Sequence, residues 1–191
     1  MMQNKKIIGI TGGSGSGKSH ISSMLRNRGI PVIDADITAH EVMEEDEDCI
    51  KDLSSYFGAD IYENGKLNRK KLGEMVFSDA EKLKKLNEIS HKYILRSINN
   101  KIGKEKSNIV CVDGAVLIES GMKCDIMIGV LADYHVRKKR IMSRDSISGE
   151  QAEMRLSSQQ KDDFYKKHCD FTLQNNGGEP DIDYILKRIA E

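Results

Sequence analysis

The segment from Gly12 to Ser19 carries the clearest chemistry in the sequence, because its residue types and spacing are those of a phosphate-binding loop. It fits the pattern G-x-x-x-x-G-K-[ST] and reads Gly12-Gly13-Ser14-Gly15-Ser16-Gly17-Lys18-Ser19. The glycines let the backbone curl so that successive N–H groups point at phosphates, and Lys18 supplies a cation for the β and γ groups. The Ser19 hydroxyl can ligate Mg²⁺. The loop predicts a protein that uses a nucleoside triphosphate.

Three carboxylates follow predicted strands. Val32 to Asp36 is interpreted as a short strand beside the first one, with Asp34 and Asp36 two residues apart and therefore on one face. In such a pair, one carboxylate can hold the waters of Mg²⁺ while the other takes a proton from an attacking hydroxyl. Alternatively, one of the two caps a helix that begins near Thr38. Asp113 ends an apolar run and either supports the Mg²⁺ shell or is a structural acid.

A basic helix is predicted from Tyr134 to Asp145. Its residues Arg137, Arg140 and Arg144 share one face at i, i+3 and i+7. The face is either solvated charge or part of a lid over residues 134–160 that supplies cations to a migrating phosphoryl group. Arg155, on the next helix, is a weaker candidate for the same cluster.

The elements around these residues predict an α/β fold. Strands alternate with helices, which predicts a mostly parallel five-stranded sheet flanked by helices, with ligands at the carboxyl ends of the strands. Between residues 38 and 103 helical patterns dominate, and we interpret this part as a helical insertion with a hairpin or loop centred on Asn64-Gly65. The remaining strands are predicted at Lys6 to Thr11, Ile109 to Asp113, Ile126 to Ala132 and Phe171 to Leu173.

Composition narrows the class of protein. The 191 residues fit a single domain, 1–191, and 30 basic residues balance 30 acidic ones, so no nucleic-acid partner is expected. Four cysteines without a C-x-x-C pair are interpreted as reduced thiols, and the five histidines suggest no zinc site, which leaves Mg²⁺ as the expected metal. The start Met1 to Lys6 precedes an apolar run too short for a signal peptide, and no stretch is long enough to span a bilayer. We expect a cytoplasmic protein without a membrane partner, of unknown oligomeric state.

The sequence resembles the dephospho-coenzyme A kinase family along its whole length. The resemblance begins with the segment from Ile10 to Ser19 and continues with the segment from Gly29 to Asp36, which ends in an Asp pair. The Asp pair carries the most weight, because many families share the phosphate loop. Further matches are Arg69-Lys70-Lys71-Leu72 with Val76-Phe77, Leu86-Asn87 with His91, Asp113 to Glu119, the lid residues Arg140, Arg144-Asp145, Arg155 and Gln159, and the turn Asn175-Asn176-Gly177. His20, Lys92 and Ala115 depart from the family pattern, which has Thr, Pro and Pro there.

The resemblance implies ATP- and Mg²⁺-dependent phosphorylation of the ribose 3′-hydroxyl of dephospho-coenzyme A, on a P-loop kinase fold with a substrate-binding insertion and a lid. It implies that Asp36 is the general base and that Lys18 and Arg140 stabilise the transferring group. Asp34, Arg69, His91 and Asp113 are the further substrate-side candidates. The candidates for binding the nucleotide are the whole loop, His20, Arg144, Asn175 and Gly177. A turn-forming role explains Asn175 and Gly177 equally well.

Three other functions fit parts of the sequence. Another small-molecule kinase, acting on a nucleoside or nucleotide, would use the same loop and lid. A nucleotide-dependent switch is disfavoured for GTP, because Asn100-Lys101-Ile102-Gly103 lacks the acid of an N-K-x-D signature. An inactive relative that only binds coenzyme A species is disfavoured by the presence of Lys18, Ser19, Asp36 and Asp113.

Overall fold

The computed structural model describes residues 5–77, 79–178 and 180–190. The chain divides into two compact units, one formed by Met1–Asp34 with Glu105–Glu191 and the other by Ala35–Lys104. The segment 38–103, interpreted from sequence as an insertion, lies within the second unit.

The first unit contains a five-stranded parallel sheet in the described part of the chain. Its elements are β1 (Lys6–Thr11), α1 (Lys18–Asn27), β2 (Val32–Asp34), β5 (Ile109–Asp113), β6 (Ile126–Leu131), α6 (Tyr134–Asp145), α7 (Gly149–Ser157), α8 (Asp162–His168), β7 (Phe171–Gln174) and α9 (Ile182–Ala190). The predicted α/β class and parallel sheet are confirmed. The helix α8 was not predicted.

The strand order is β2-β5-β1-β6-β7, so the predicted position of the second strand beside the first is wrong. β5 lies between them and pairs with both, matching Ile10 to Asp113 on one side and Asp34 to Asp113 on the other. The physical reason is burial. The apolar run of β5 is covered on both faces, with Val110, Cys111 and Val112 at 0% exposure, whereas the three-residue β2 suits the edge.

The interpretation of Asp34 and Asp36 as neighbours on one strand face is also wrong. β2 ends at Asp34, and a helix, α2 (Ala35–Glu45), begins at the next residue rather than near Thr38. Asp34 therefore ends a strand, while Asp36 lies in the first turn of α2. A carboxylate in a first turn is favoured by the positive end of the helix dipole.

The core of the first unit lies between the sheet and its helices. Buried residues of β1, α1, β6 and α9 pack together in it, namely Ile8, Ile10, Ile21, Leu25, Ile128, Val130, Ile185 and Ile189. Fully burying one such side chain contributes about 1.5–3 kcal/mol. This packing fixes the ends of β1 and α1, and with them the loop that joins the two.

The second unit is helical apart from a small hairpin. It contains α2, α3 (Glu47–Phe57), a 3₁₀ turn (Ala59–Ile61), β3 (Tyr62–Glu63), β4 (Lys66–Leu67), α4 (Arg69–Phe77) and α5 (Ala80–Lys104). Of the two predicted alternatives, a hairpin or a loop, the structure shows the hairpin: Asn64 and Gly65 both have positive φ, 50° and 77°, as a tight turn between antiparallel strands requires. A separate apolar cluster with Cys49, Leu53 and Ile61 at 0% exposure holds this unit together.

Some sequence predictions fall partly outside the described residues. Met1–Asn4, on which the expected absence of a signal peptide depends, are among them. Within the described residues, no helix has the length and hydropathy needed to cross a membrane. No group of three or more His, Cys, Asp or Glu side chains in the same residues forms a metal site.

Candidate active site

The phosphate loop lies between β1 and α1, at the carboxyl edge of the sheet. Gly17 has φ 93°, a conformation that favours glycine, and α1 starts at the following Lys18. The Lys18 ammonium donates to the Gly12 carbonyl oxygen at 2.9 Å. The helix thus presents its first N–H groups, which have no helical partner, at the loop.

The carbonyl groups of the loop face cationic and amide side chains. Arg137 Nε donates to the Ser14 carbonyl at 3.0 Å, and Arg140 Nη1 donates to those of Gly15 at 3.2 Å and Ser16 at 3.3 Å. Asn175 Nδ2 also donates to the Ser16 carbonyl, at 3.0 Å.

The directions of the loop N–H groups follow from the directions of these carbonyl groups. The described peptides are all trans, so each N–H points away from the carbonyl of the same peptide. The N–H groups of Gly15 and Gly17 are therefore turned away from the arginines. The loop therefore has backbone N–H groups on one side, and its carbonyl groups on the other side accept hydrogen bonds from side chains. This is the arrangement of an anion-binding nest.

The environment of the Ser16 hydroxyl indicates whether the loop fits phosphates. Ser16 is 1% exposed, and among the described residues its Oγ is a buried side-chain atom without a hydrogen-bond partner. A buried hydroxyl in that state costs about 1–3 kcal/mol, which a phosphate oxygen bound in the loop offsets. The loop thus fits the phosphates of a nucleotide.

Asp113 ends β5, as its sequence position predicted, and β5 lies next to β1 in the sheet. Its side chain is 8% exposed, and Oδ2 accepts a hydrogen bond of 2.6 Å from the hydroxyl of Ser22, which is fully buried on α1. The hydroxyl of Ser19 and this carboxylate are hard oxygen donors of the kind that Mg²⁺ prefers. Their chemistry therefore fits the expected metal.

A family model described as dephospho-CoA kinase matches residues 6–181 of the chain. The chain belongs to the dephospho-CoA kinase family.

Individual relatives agree with the family. A dephospho-CoA kinase of Listeria innocua is 38% identical over 177 residues, covering 90% of this chain and 88% of the relative, and one of Fusobacterium nucleatum is 37% identical over 97% of both chains. A crystal structure from Thermus thermophilus superposes with a TM-score of 0.84 at 31% identity, over 98% of this chain and 97% of that one. A shikimate kinase from Acinetobacter baumannii, 16% identical over 99% of this chain and 95% of that one, has a TM-score of 0.53 and shows the P-loop kinase fold alone.

The substrate-side residues implied by the family resemblance lie mostly in the second unit. Asp36 is exposed in the first turn of α2, Arg69 begins α4 and donates to Glu44 at 3.1 Å, and His91 is half-buried on α5. Asp34 belongs to the first unit, at the end of β2. Their roles toward dephospho-coenzyme A stay predictions.

The lid-face arginines predicted from sequence have different partners. Arg137 and Arg140 contact the loop, and Arg140 also donates to the Asn175 carbonyl at 2.9 Å. Arg144 instead forms two bonds with Asp145, at 2.7 and 2.9 Å, and Arg155 pairs with the same carboxylate. The hydrogen bond from Arg144 lowers the pKa of Asp145 to about 2. The nucleotide contacts predicted for Arg144 and for the exposed His20 and Gly177 stay predictions.

Two departures from the family pattern have local partners. Lys92 donates to Asp52 at 2.7 Å, and the same carboxylate accepts 2.6 Å from the Tyr93 hydroxyl. The carbonyl of Ala115 accepts a 3.1 Å hydrogen bond from Thr11 Oγ1, at the end of β1.

Sequence reasoning missed two contacts of the loop region. Ser22 lies one helical turn after Ser19, and this spacing places both residues on one side of α1. The spacing is the sequence signal from which Ser22 could have been identified. The family resemblance assigns Gln159 only to the lid, whereas in the structure its Oε1 accepts a hydrogen bond from the N–H of Ser14 at 2.8 Å. No sequence pattern pairs two residues that lie 145 positions apart.

Proposed function

We propose that the chain transfers the terminal phosphoryl group of ATP to the ribose 3′-hydroxyl of dephospho-coenzyme A, giving coenzyme A and ADP. The observation that carries the proposal is the family match over residues 6–181, in a chain whose loop fits phosphates. Phosphoryl transfer asks for alignment and charge neutralisation more than for covalent chemistry, and the residues below supply both.

On the nucleotide side, the N–H groups of Gly15 and Gly17, together with Lys18, hold the β and γ phosphates. The hydroxyl of Ser19 and the carboxylate of Asp113 would hold Mg²⁺, which when bound neutralises charge on the phosphates. Arg140 adds positive charge at the loop, and the contacts that support this are its bonds to the Gly15 and Ser16 carbonyls. Asn175 stands beside it, 5% exposed, with its own bond to Ser16.

On the acceptor side, Asp36 orients the ribose 3′-hydroxyl and takes its proton. Two features support this role: Asp36 comes two residues after the end of β2, and its side chain is exposed rather than committed to the core. A positioned carboxylate base contributes about 10²–10⁴ in rate. Asp34, Arg69 and His91 bind the same substrate.

The test is ADP release from ATP with Mg²⁺, with and without dephospho-coenzyme A, combined with mass analysis of the acceptor. The wild-type chain is expected to add one phosphate at the ribose 3′ position. ADP release that ignores dephospho-coenzyme A, or that responds to a nucleoside instead, refutes the proposal.

The role of Asp36 is tested by Asp36→Asn. We expect turnover to fall about 10²–10⁴-fold while the Kd for ATP stays within about twofold of the wild type, since the base contacts the acceptor. The matched control is Asp48→Asn, an exposed aspartate in the first turn of α3, which should keep full turnover. Wild-type turnover by Asp36→Asn excludes Asp36 as the base.

A further inference from the structure

Ser14, in the middle of the phosphate loop, has both of its backbone polar groups held by side chains of the segment 134–160. Its N–H donates to Gln159 Oε1 at 2.8 Å, and its carbonyl accepts from Arg137 Nε at 3.0 Å. Arg137 Nη2 donates to the same Gln159 oxygen at 2.6 Å. The three bonds close a ring, which we call the Ser14 clamp.

The hydrogen bonds of the Ser14 clamp fix the orientations of the Gln159 and Arg137 side chains. The Gln159 oxygen receives two donors, which fixes the orientation of its amide, and the planar guanidinium of Arg137 spans both partners as a rigid fork. Gly13 makes the approach possible, because a side chain there would collide with Arg137 and Gln159. All three bonds are partly buried, so water competes for them less than at an open surface.

The clamp determines which way two peptides of the loop face. With the Ser14 carbonyl directed at Arg137, the N–H of Gly15 points to the opposite side. With the Ser14 N–H directed at Gln159, the Gly13 carbonyl turns to the other side, where it accepts the N–H of Ser16 at 3.2 Å. The backbone arrangement of the anion nest thus depends on side chains more than 120 residues away in sequence.

We propose that Arg137 and Gln159 are positioning residues that preorganise the phosphate loop for nucleotide binding by holding the backbone of Ser14. The inference rests on the proposed use of ATP, but it does not depend on the identity of the acceptor. Without the clamp, the loop must order its peptides when the nucleotide binds, and affinity falls by the corresponding cost.

The experiment is a calorimetric titration of the purified full chain with ATP and, separately, with ADP, in the absence of acceptor. Gln159→Leu removes the shared acceptor and is expected to raise both Kd values about tenfold, the effect of losing about one hydrogen bond of this kind. The matched control is Gln151→Leu. It breaks the Gln151 side-chain bond to the Ser148 N–H at the start of α7, and should leave both Kd values within about twofold.

A conservative variant separates positioning from a loss of charge. Arg137→Lys keeps the positive charge but loses the fork, so it should bind ATP as weakly as Arg137→Met. The double variant Arg137→Met with Gln159→Leu should weaken binding by less than the product of the single effects, because both act on Ser14. Melting temperatures measured alongside identify any variant that fails to fold.

The outcomes are distinct. Gln159→Leu with wild-type Kd values, or single effects that multiply in the double variant, overturns the clamp. A wild-type chain that does not bind ATP at all overturns the proposed function, and the inference falls with it.

Discussion

Replacing Ser22 by alanine should lower the stability of the chain by a measurable amount, because its hydroxyl is the buried donor to the Asp113 carboxylate. The bond is 2.6 Å long, Ser22 is 0% exposed, and Asp113 is 8% exposed. The variant keeps the carboxylate in place and removes a donor that solvent does not readily replace. The substitution therefore leaves a buried acceptor with one bond fewer.

The magnitude follows from the charge on the acceptor. Hydrogen bonds to charged groups contribute about 1.5–3 kcal/mol. For a chain of this length, 1 kcal/mol corresponds to about 2–4 °C in Tm, so a loss of about 2 kcal/mol corresponds to about 4–8 °C. The deleted oxygen adds little cavity, since alanine fills most of the same space.

The assay is thermal unfolding at pH 7, followed by circular dichroism and by calorimetry. Ser23→Ala is the matched control, because Ser23 is the next residue of α1 and is exposed. It should melt within about 1 °C of the wild type, as expected for a surface substitution. A Ser22→Ala variant that melts with the Ser23→Ala control refutes the reasoning, since the bond would then contribute nothing net.

Two further predictions concern ionisation. Burial, reinforced by Asp46, raises the pKa of the Cys49 thiol to about 11, and desolvation raises the pKa of the half-buried Cys124 thiol to about 12. Both thiols should therefore react very slowly with a thiol reagent at pH 8 in the native chain and rapidly in urea. Prompt native labelling of either cysteine would contradict its raised pKa. The pKa of Asp145 is lowered from 3.8 to about 2, so its contribution to stability is present above pH 4 and is lost as the pH falls through about 2. The difference in Tm between the wild type and Asp145→Asn should therefore shrink between pH 4 and pH 2, and a difference that stays constant over that range would show that the carboxylate charge is not involved.

Local sequence was sufficient for the elements that carry the nucleotide site. The loop, the strand before it and the helix after it depend on neighbouring residues: an apolar run, glycines that adopt positive φ, and periodic Ile21 and Leu25. The turn at Asn64-Gly65 and the helix from Tyr134 to Asp145 are local in the same sense, and both lie where the sequence predicts them. Asp113 at the end of β5 follows from an apolar run that stops at an acid.

Only the tertiary structure decided the order of the strands and the partners of the side chains. β5 separates β1 from β2 because a fully apolar strand gains most from burial on both faces, a competition between distant segments that no local pattern records. Likewise, three arginines at helical spacing look equivalent in sequence, yet Arg137 and Arg140 contact the loop while Arg144 pairs with Asp145. Sequence determined which residues have the chemistry for phosphoryl transfer, and the packing of segments far apart in the chain determined which of them meet.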